Sequence, residues 1–207
     1  FPAQEKMLLG KIKSSITSLN AMFESLLNIS KLDAHVTPVN NRIFNLQELA
    51  NTLRDLNETR AKNKGLDFKI SHLDLNFRGD KLLLQQIAGN LISNAIQYTE
   101  AGIVEVKLTT QNNRLAIEVI DTGCGVEVSE QPQVFQEFYR ADRTRALHDG
   151  LGLGLSIVQR LCELIGADVQ LFSQPGKGSR FVVVTPYVAL ASDDHDEVAD
   201  APIKPLR

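Results

Sequence analysis

The chain has 207 residues, 43% of them hydrophobic and 23% charged, which supplies a buried core and excludes a chain disordered overall. Its formal charge of −3 sits in residues 189–207, where Asp193, Asp194, Asp196, Glu197 and Asp200 face only Lys204 and Arg207; the remainder is neutral and offers nucleic acid no basic stripe. Two cysteines exclude a disulfide framework and a four-cysteine zinc site, and no apolar run approaches the roughly 20 residues that cross a bilayer.

No secretory signal is visible, and a chain that begins at Phe1 reads as a piece of a longer protein. A cytoplasmic location is expected for it, whether or not its parent is anchored in the inner membrane.

A first helix is predicted over 4–32, where Ile16, Leu19, Phe23 and Leu26 form an apolar stripe widened by Met22 and Leu27. Such a stripe either folds onto the domain that follows or forms half of a dimerising helical hairpin. Pro38 and Asn40-Asn41 end it and make a joint. A mixed domain then begins near Asn45. It opens with a helix over 46–62 and short strands over 66–70 and 75–77, and Asp80 is the N-cap of a helix over 81–98. Alternating runs at 103–109 and 115–120 read as strands joined by Gln111-Asn112-Asn113. A glycine-rich stretch opens a helix over 153–165, and strands near 169–172 and 180–184 close the domain around Pro175-Gly176-Lys177-Gly178. Helices interleaved with hairpins predict an α+β, two-layer sandwich, with a mixed sheet carrying its helices on one face. The divisions are 1–40 for the leading helix, 41–188 for the domain and 189–207 for an acidic tail or linker.

Four stretches carry chemistry. On the 81–98 helix, Gln86, Asn90, Asn94 and Gln97 recur at spacings of 4, 4 and 3. Neutral amides that donate and accept suit a polar ligand, and amide oxygens suit Mg²⁺ beside phosphates; ordinary polar cover is the plainer reading. Asp121-Thr122-Gly123-Cys124-Gly125 places a carboxylate at a strand end beside two glycines, and it is also a common turn composition. Gly150, Gly152 and Gly154 alternate into a helix N-terminus, where unpaired N–H groups and a positive dipole end favour phosphate. The Rossmann fingerprint fails there because its sixth position is Leu155, and no Walker loop fits around Gly176-Lys177-Gly178. The segment from Val134 to Arg140 opens a long stretch without periodicity, as lids do. His35, His72, His148 and His195 are too scattered for zinc.

In this order the stretches resemble the ATP-binding domain of sensor histidine kinases, in the gyrase, Hsp90, histidine kinase and MutL superfamily. Residues 86–99 are similar to its N box, 121–125 to the first glycine box, 135–138 to the F box, 150–155 to the second glycine box and 176–178 to the third. Residues 26–34 resemble the end of the second helix of the dimerisation and phosphotransfer hairpin, so the likeness runs from about residue 5 to 187. It implies a Bergerat-type sandwich that binds ATP and Mg²⁺ and transfers the γ-phosphoryl group to a histidine. Asn90 and Gln86 then fall in the catalytic neighbourhood, with Asn90 on the metal. Asn94, Gln97, Tyr98, Asp121, Gly123, Gly125, Gly150, Gly152, Gly154 and Leu155 surround the nucleotide. Asp121 accepts from the adenine amine, Gly125 sits against the base and 140–149 form the lid.

Two departures stand out. Gln97 replaces a lysine frequent in the family, and no phosphoacceptor box is present, which places the acceptor histidine outside this chain. The resemblance implies a homodimer and a response regulator or receiver domain as partners, with no nucleic acid and no membrane contact by this piece. A degenerate module acting by dimerisation without kinase activity is the alternative. A gyrase-type hydrolase is disfavoured because Gln86 cannot act as a general base.

Overall fold

The computed structural model describes residues 38–140 and 151–190, together with four helical positions upstream, Ile12, Ile16, Phe23 and Ser30. The chain divides into two compact units, Phe1–Pro38 and Val39–Arg207. Ile12, Ile16 and Phe23 are helical and exposed, in the stretch where the sequence predicts its first helix. The other residues of that helix lie outside the described ones, as do 141–150 and the acidic tail beyond Leu190.

The second unit holds seven strands and three α-helices among the described residues. Strands β1 (Arg42–Asn45) and β3 (Asn76–Gly79) form a small antiparallel pair. The main sheet contains β2 (Asp67–His72), β4 (Ile103–Gln111), β5 (Arg114–Asp121), β6 (Asp168–Gln174) and β7 (Gly178–Val188), in the order β2-β4-β5-β7-β6. Only β2 and β4 are parallel; the other neighbours are antiparallel. This is the mixed sheet expected from the sequence. Helices α1 (Leu46–Asn63), α2 (Lys81–Tyr98) and α3 (Gly154–Ile165) pack on one of its faces.

Each helix begins and ends for a local reason. The Asn45 side chain accepts from the Gln47 N–H at 2.7 Å and starts α1. Asp80 Oδ1 accepts from the Leu82 and Leu83 N–H groups, both at 3.0 Å, and starts α2. Helix α3 ends at Gly166, which adopts φ +71° while the Ala167 N–H reaches the Cys162 carbonyl at 2.8 Å. The β4–β5 hairpin turns through Asn112 and Asn113, at φ +51° and +62°, the two-residue turn that matches strand twist.

The core is one layer of apolar side chains between helices and sheet. Leu84, Ile87 and Leu91 of α2 are fully buried, with Leu49 and Leu53 of α1, Val158 of α3, and Val106, Leu108, Ile117, Val119 and Val183 of the strands. Leu84→Ala is therefore expected to cost about 3 kcal/mol. Urea denaturation should show a lower midpoint with an unchanged slope.

Two features escape the sequence reading. Strand β1 is only four residues long, too short for alternation to declare itself. Strand β7 runs to Val188 through Pro186, well past the expected 184. Proline is tolerated because β6 stops pairing at Val184 and the β5 register shifts between Arg114 and Ala116. Thr185 Oγ1 bridges the irregularity, donating to the Leu115 carbonyl at 3.1 Å and accepting from the Tyr187 N–H at 3.2 Å. Ala189 and Leu190, in the tail by sequence, are still bonded to the domain, donating to the Asn113 and Asn76 carbonyls.

Candidate functional site

Helix α2 presents Asn90 and Asn94 toward the start of α3. The Asn90 Nδ2 donates to the Gln86 carbonyl at 2.9 Å, which leaves its Oδ1 turned outward. A Cβ on Gly154 would lie 3.4 Å from Asn94 Oδ1 and 3.5 Å from Asn90 Oδ1. The two amide oxygens thus converge on the first residue of α3. No side chain caps that helix, so its leading N–H groups are available to an anion.

Asp121 ends β5 and is buried. Its Oδ1 accepts from the Gly123 N–H at 2.8 Å and from the Ser179 N–H at 3.3 Å. Both backbone donors fall on one oxygen, so Oδ2 is the oxygen left for a ligand. Burial pushes the carboxyl above its ordinary range, and the two N–H groups oppose that shift.

A cleft partly open to solvent joins Asp121 to Asn94 and to Leu155 at the start of α3, while Asn90, Gly123, Gly152 and Gly154 are not among its lining residues. Of the residues singled out from sequence, Asn94, Tyr98, Asp121, Gly125 and Leu155 line it. Burial also raises the Tyr98 hydroxyl pKa, and the nearby Arg140 guanidinium opposes the rise. Gly123 lies beside Asp121, and a Cβ there would strike the Tyr98 carbonyl. At Gly125 a Cβ would run into the backbone carbonyl of Gln174; protein backbone, rather than a flat ring, already accounts for that glycine. Gly152 is crowded by the backbone of Phe138 and Tyr139, which ties the second glycine stretch to the aromatic one. Gly150 lies outside the described residues.

Gln86 and Gln97 do not line the cleft among the described residues. At 100° per residue, Asn94, Tyr98 and Ala95 span an arc of about 100°, whereas Gln86 and Gln97 sit about 80° and 60° behind Asn94. The four amides stay within about 80° of one another, with Asn90 about 40° behind Asn94, so Gln86 and Gln97 fall at the trailing edge of the amide face, away from the side that Tyr98 and Ala95 turn to the cleft. The Gln97 carbonyl instead accepts from Lys64 Nζ at 2.6 Å, as the Ile96 carbonyl does at 2.7 Å, and this cation holds the last turn of α2.

Sequence reasoning missed Val126, Ser179 and Phe181 as cleft residues. The Phe135 ring meets Phe181 edge-on at 6.3 Å between centroids. The Tyr139 hydroxyl donates to Glu130 Oε1 at 3.0 Å, and Glu137 pairs with Arg160 of α3. The F-box stretch is therefore pinned to the cleft floor before residue 141. No local signal marked Ser179: the β5–β7 pairing that sets it opposite Asp121 brings it to the cleft.

Among the described residues, no group of three or more His, Cys, Asp or Glu side chains could hold a metal ion. The converging oxygens of Asn90 and Asn94 fit a hard divalent cation that takes its remaining ligands from water and phosphate, as Mg²⁺ does. The two cysteines differ sharply. Cys162 is buried, with its thiol pKa pushed up to about 12, mainly by burial; Cys124 is exposed and lines the cleft. One thiol per chain is therefore expected to react rapidly with a disulfide reagent at pH 8, with the second appearing only on denaturation.

The sequence profile described as "Histidine kinase-, DNA gyrase B-, and HSP90-like ATPase" matches residues 79–189. The chain is 36% identical over 182 residues to the signal transduction histidine-protein kinase BarA of Escherichia coli, covering 84% of this chain and 20% of that protein. It is 34% identical over 179 residues to the autoinducer 2 sensor kinase/phosphatase LuxQ of Vibrio vulnificus, covering 81% and 21%. Among solved structures, full-length ShkA in complex with AMPPNP superposes with a TM-score of 0.81 at 26% identity, over 93% of this chain and 41% of that one. The chain thus spans about a fifth of the length of these two relatives. No helix among the described residues is long and apolar enough to cross a membrane.

Proposed function

This chain belongs to the family of histidine kinase-, DNA gyrase B- and HSP90-like ATPases, and from that premise we propose that it is the ATP-binding catalytic part of a sensor histidine kinase. The reading places the end of a dimerisation and phosphotransfer hairpin in 1–40, the catalytic domain in 41–188 and a linker in 189–207. The acceptor histidine lies outside the chain, a homodimer is the working form, and a response regulator or receiver domain takes the phosphoryl group onward.

The observation that carries this reading is the pairing of two unlike ends in one cleft. Asp121 offers a buried carboxylate oxygen at one end, suited to an exocyclic amine. At the other, the uncapped start of α3 meets the amides of Asn90 and Asn94, suited to phosphates with their counter-ion. Asn90 would hold Mg²⁺ with Asn94 between metal and phosphates, and the ion supplies neutralisation of phosphate charge.

Positioning and charge neutralisation carry most of phosphoryl transfer. A neutral imidazole attacks the γ-phosphorus through a ring-nitrogen lone pair as the bond to ADP breaks, and the other ring nitrogen then releases its proton, so the nucleophile need not be deprotonated before attack. Helix α2 carries the neutral Gln86 in the stretch where hydrolytic relatives carry a carboxylate, so the chain suits transfer to histidine better than activation of water.

Calorimetric titration with ADP tests the reading. Binding that strengthens at least about tenfold with millimolar Mg²⁺, or about 1.4 kcal/mol, is the expected result. A folded chain that binds no ADP at millimolar concentration would refute it.

A further inference from the structure

The Ser173 hydroxyl, on β6, is saturated. A hydroxyl has one proton and two lone pairs, and three groups claim them. The Val126 N–H donates to its oxygen at 2.8 Å, its proton goes to the Gly178 carbonyl at 2.9 Å, and the Ser179 hydroxyl lies 3.0 Å away. A carbonyl can only accept, so the Ser173 proton is spent on Gly178. The Ser179 hydroxyl is therefore the donor in the third bond, and its own proton points at Ser173.

These bonds meet at the Asp121 end of the cleft. Val126 and Ser179 line it, whereas Ser173 does not. Val126 follows the first glycine stretch and Gly178 ends the third, so one side chain staples the two together. Gln131 backs the staple from the single turn Gln131–Gln133, its Nε2 donating to the Val126 carbonyl at 3.2 Å and to the Ser173 carbonyl at 3.0 Å. Ser173, Ser179 and Asp121 stand in register across β6, β7 and β5, and the Ser179 N–H donates to Asp121 Oδ1 at 3.3 Å. With its proton committed to Ser173, the Ser179 hydroxyl has only a lone pair to offer a ligand. The ionised Asp121 carboxylate beside it also only accepts. This part of the cleft wall is thus built of acceptors.

We infer that Ser173 is a positioning residue that sets base specificity, its hydroxyl fixing Val126 and Ser179 in place and holding the Ser179 proton away from the ligand. This inference rests on the kinase reading, which sets adenine at the Asp121 end. The exocyclic amine of adenine brings hydrogens to a wall of acceptors. A base with a carbonyl in the same place sets a further acceptor against them and leaves the buried groups unpaired. A site built to hydrogen-bond one substrate group rejects the analogue that lacks it. Ser173 acts through the two cleft residues it holds, and the direction of a single proton decides which base they accept.

Ser173→Ala removes the staple and releases the Ser179 proton, which can then be donated to a ligand. Competition against a ribose-labelled fluorescent ADP, by ADP and by inosine diphosphate, reads both effects, since inosine carries a carbonyl where adenosine carries the amine. In Ser173→Ala, ADP affinity should fall at least about fivefold, and the preference for ADP over inosine diphosphate should narrow by at least about fivefold. Ser173→Thr keeps the hydroxyl and should hold both values within about twofold of the native chain. Hydrogen exchange should show the Val126 amide opening at least about tenfold faster in the alanine variant alone. Urea denaturation fixes a titration temperature at which each variant is folded. Equal losses for the two nucleotides, an unchanged ADP affinity in Ser173→Ala, or a threonine variant that behaves as the alanine one each overturns the inference. Failure of the unsubstituted chain to bind ADP sinks the kinase reading instead, and the Val126 exchange rate still decides whether the staple exists.

Discussion

Asp121→Asn is expected to weaken ADP binding by at least about 100-fold, or about 2.7 kcal/mol, without lowering the melting temperature. In the native cleft Oδ1 already takes the Gly123 and Ser179 N–H groups, so the ligand meets Oδ2. Asparagine must keep its single oxygen on those two donors and turn Nδ2 toward the ligand. A donor then faces the exocyclic amine of adenine, another donor, and the buried pair is left unsatisfied. Stability should move the other way. A carboxylate whose folded pKa is raised by burial weighs against the fold at neutral pH, and that cost is relieved as pH falls through the raised value. The neutral amide has no such cost, so its melting temperature at pH 7 should equal or exceed that of the native chain.

The same carboxyl gives ADP affinity a pH dependence. The accepting, ionised form predominates above the folded pKa, so affinity should decline on acidification. The decline should begin at higher pH than for an ordinary, exposed aspartate, because the folded pKa is shifted upward. Titration of the native chain and Asp121→Asn side by side over pH 4 to 8 checks both points, since the ratio of their affinities cancels the titration of ADP's own phosphate and base. An unaltered affinity in Asp121→Asn would move the nucleotide base elsewhere.

What was legible in the sequence was what local physics dictates. Helix α2 runs from Lys81 to Tyr98, as its apolar period and the Asp80 cap foretell, because both signals lie within the helix itself. Asp121 was legible because it ends a strand run beside two glycines, and Asn94 because neutral amides recur along one helix. Ser179 and Phe181 were not, because strand pairing alone brings them to the cleft. Gln86 and Gln97 misled for a related reason: they share the amide face but lie about 80° and 60° behind Asn94, and only tertiary packing opens the cleft on the other side, toward Tyr98 and Ala95. A second bond made by Asp80 was also hidden, since a cap is a local motif and the Asn40 N–H that donates to its Oδ2 lies 40 residues away.

Gly178→Ala and Gly176→Ala, two residues apart in one turn, are expected to differ by about 3 kcal/mol. From sequence alone the stretch reads as an ordinary hairpin connection. Gly176 has φ +74° and nothing within 4 Å of where a Cβ would stand, so alanine there meets only the left-handed backbone penalty, about 1 kcal/mol. Gly178 has φ +99°, and its Cβ would be driven into the Asp121 carbonyl oxygen, with the Thr122 Cα at 2.9 Å. Relief requires β5 and β7 to part where they pair, at Asp121 opposite Ser179. Backbone strain and overpacking together should cost about 4 kcal/mol, a large share of the 5–15 kcal/mol typical of a domain. The damage also falls on function, because the Ser179 N–H that steadies Asp121 moves with the strand. Urea denaturation of the two variants, with ADP titration of each at a temperature where it is folded, separates the cases. If both alanines cost about 1 kcal/mol and ADP affinity is unchanged, the stretch is only a turn. If Gly178→Ala alone loses stability and affinity together, the third glycine stretch is the seat on which Asp121 rests.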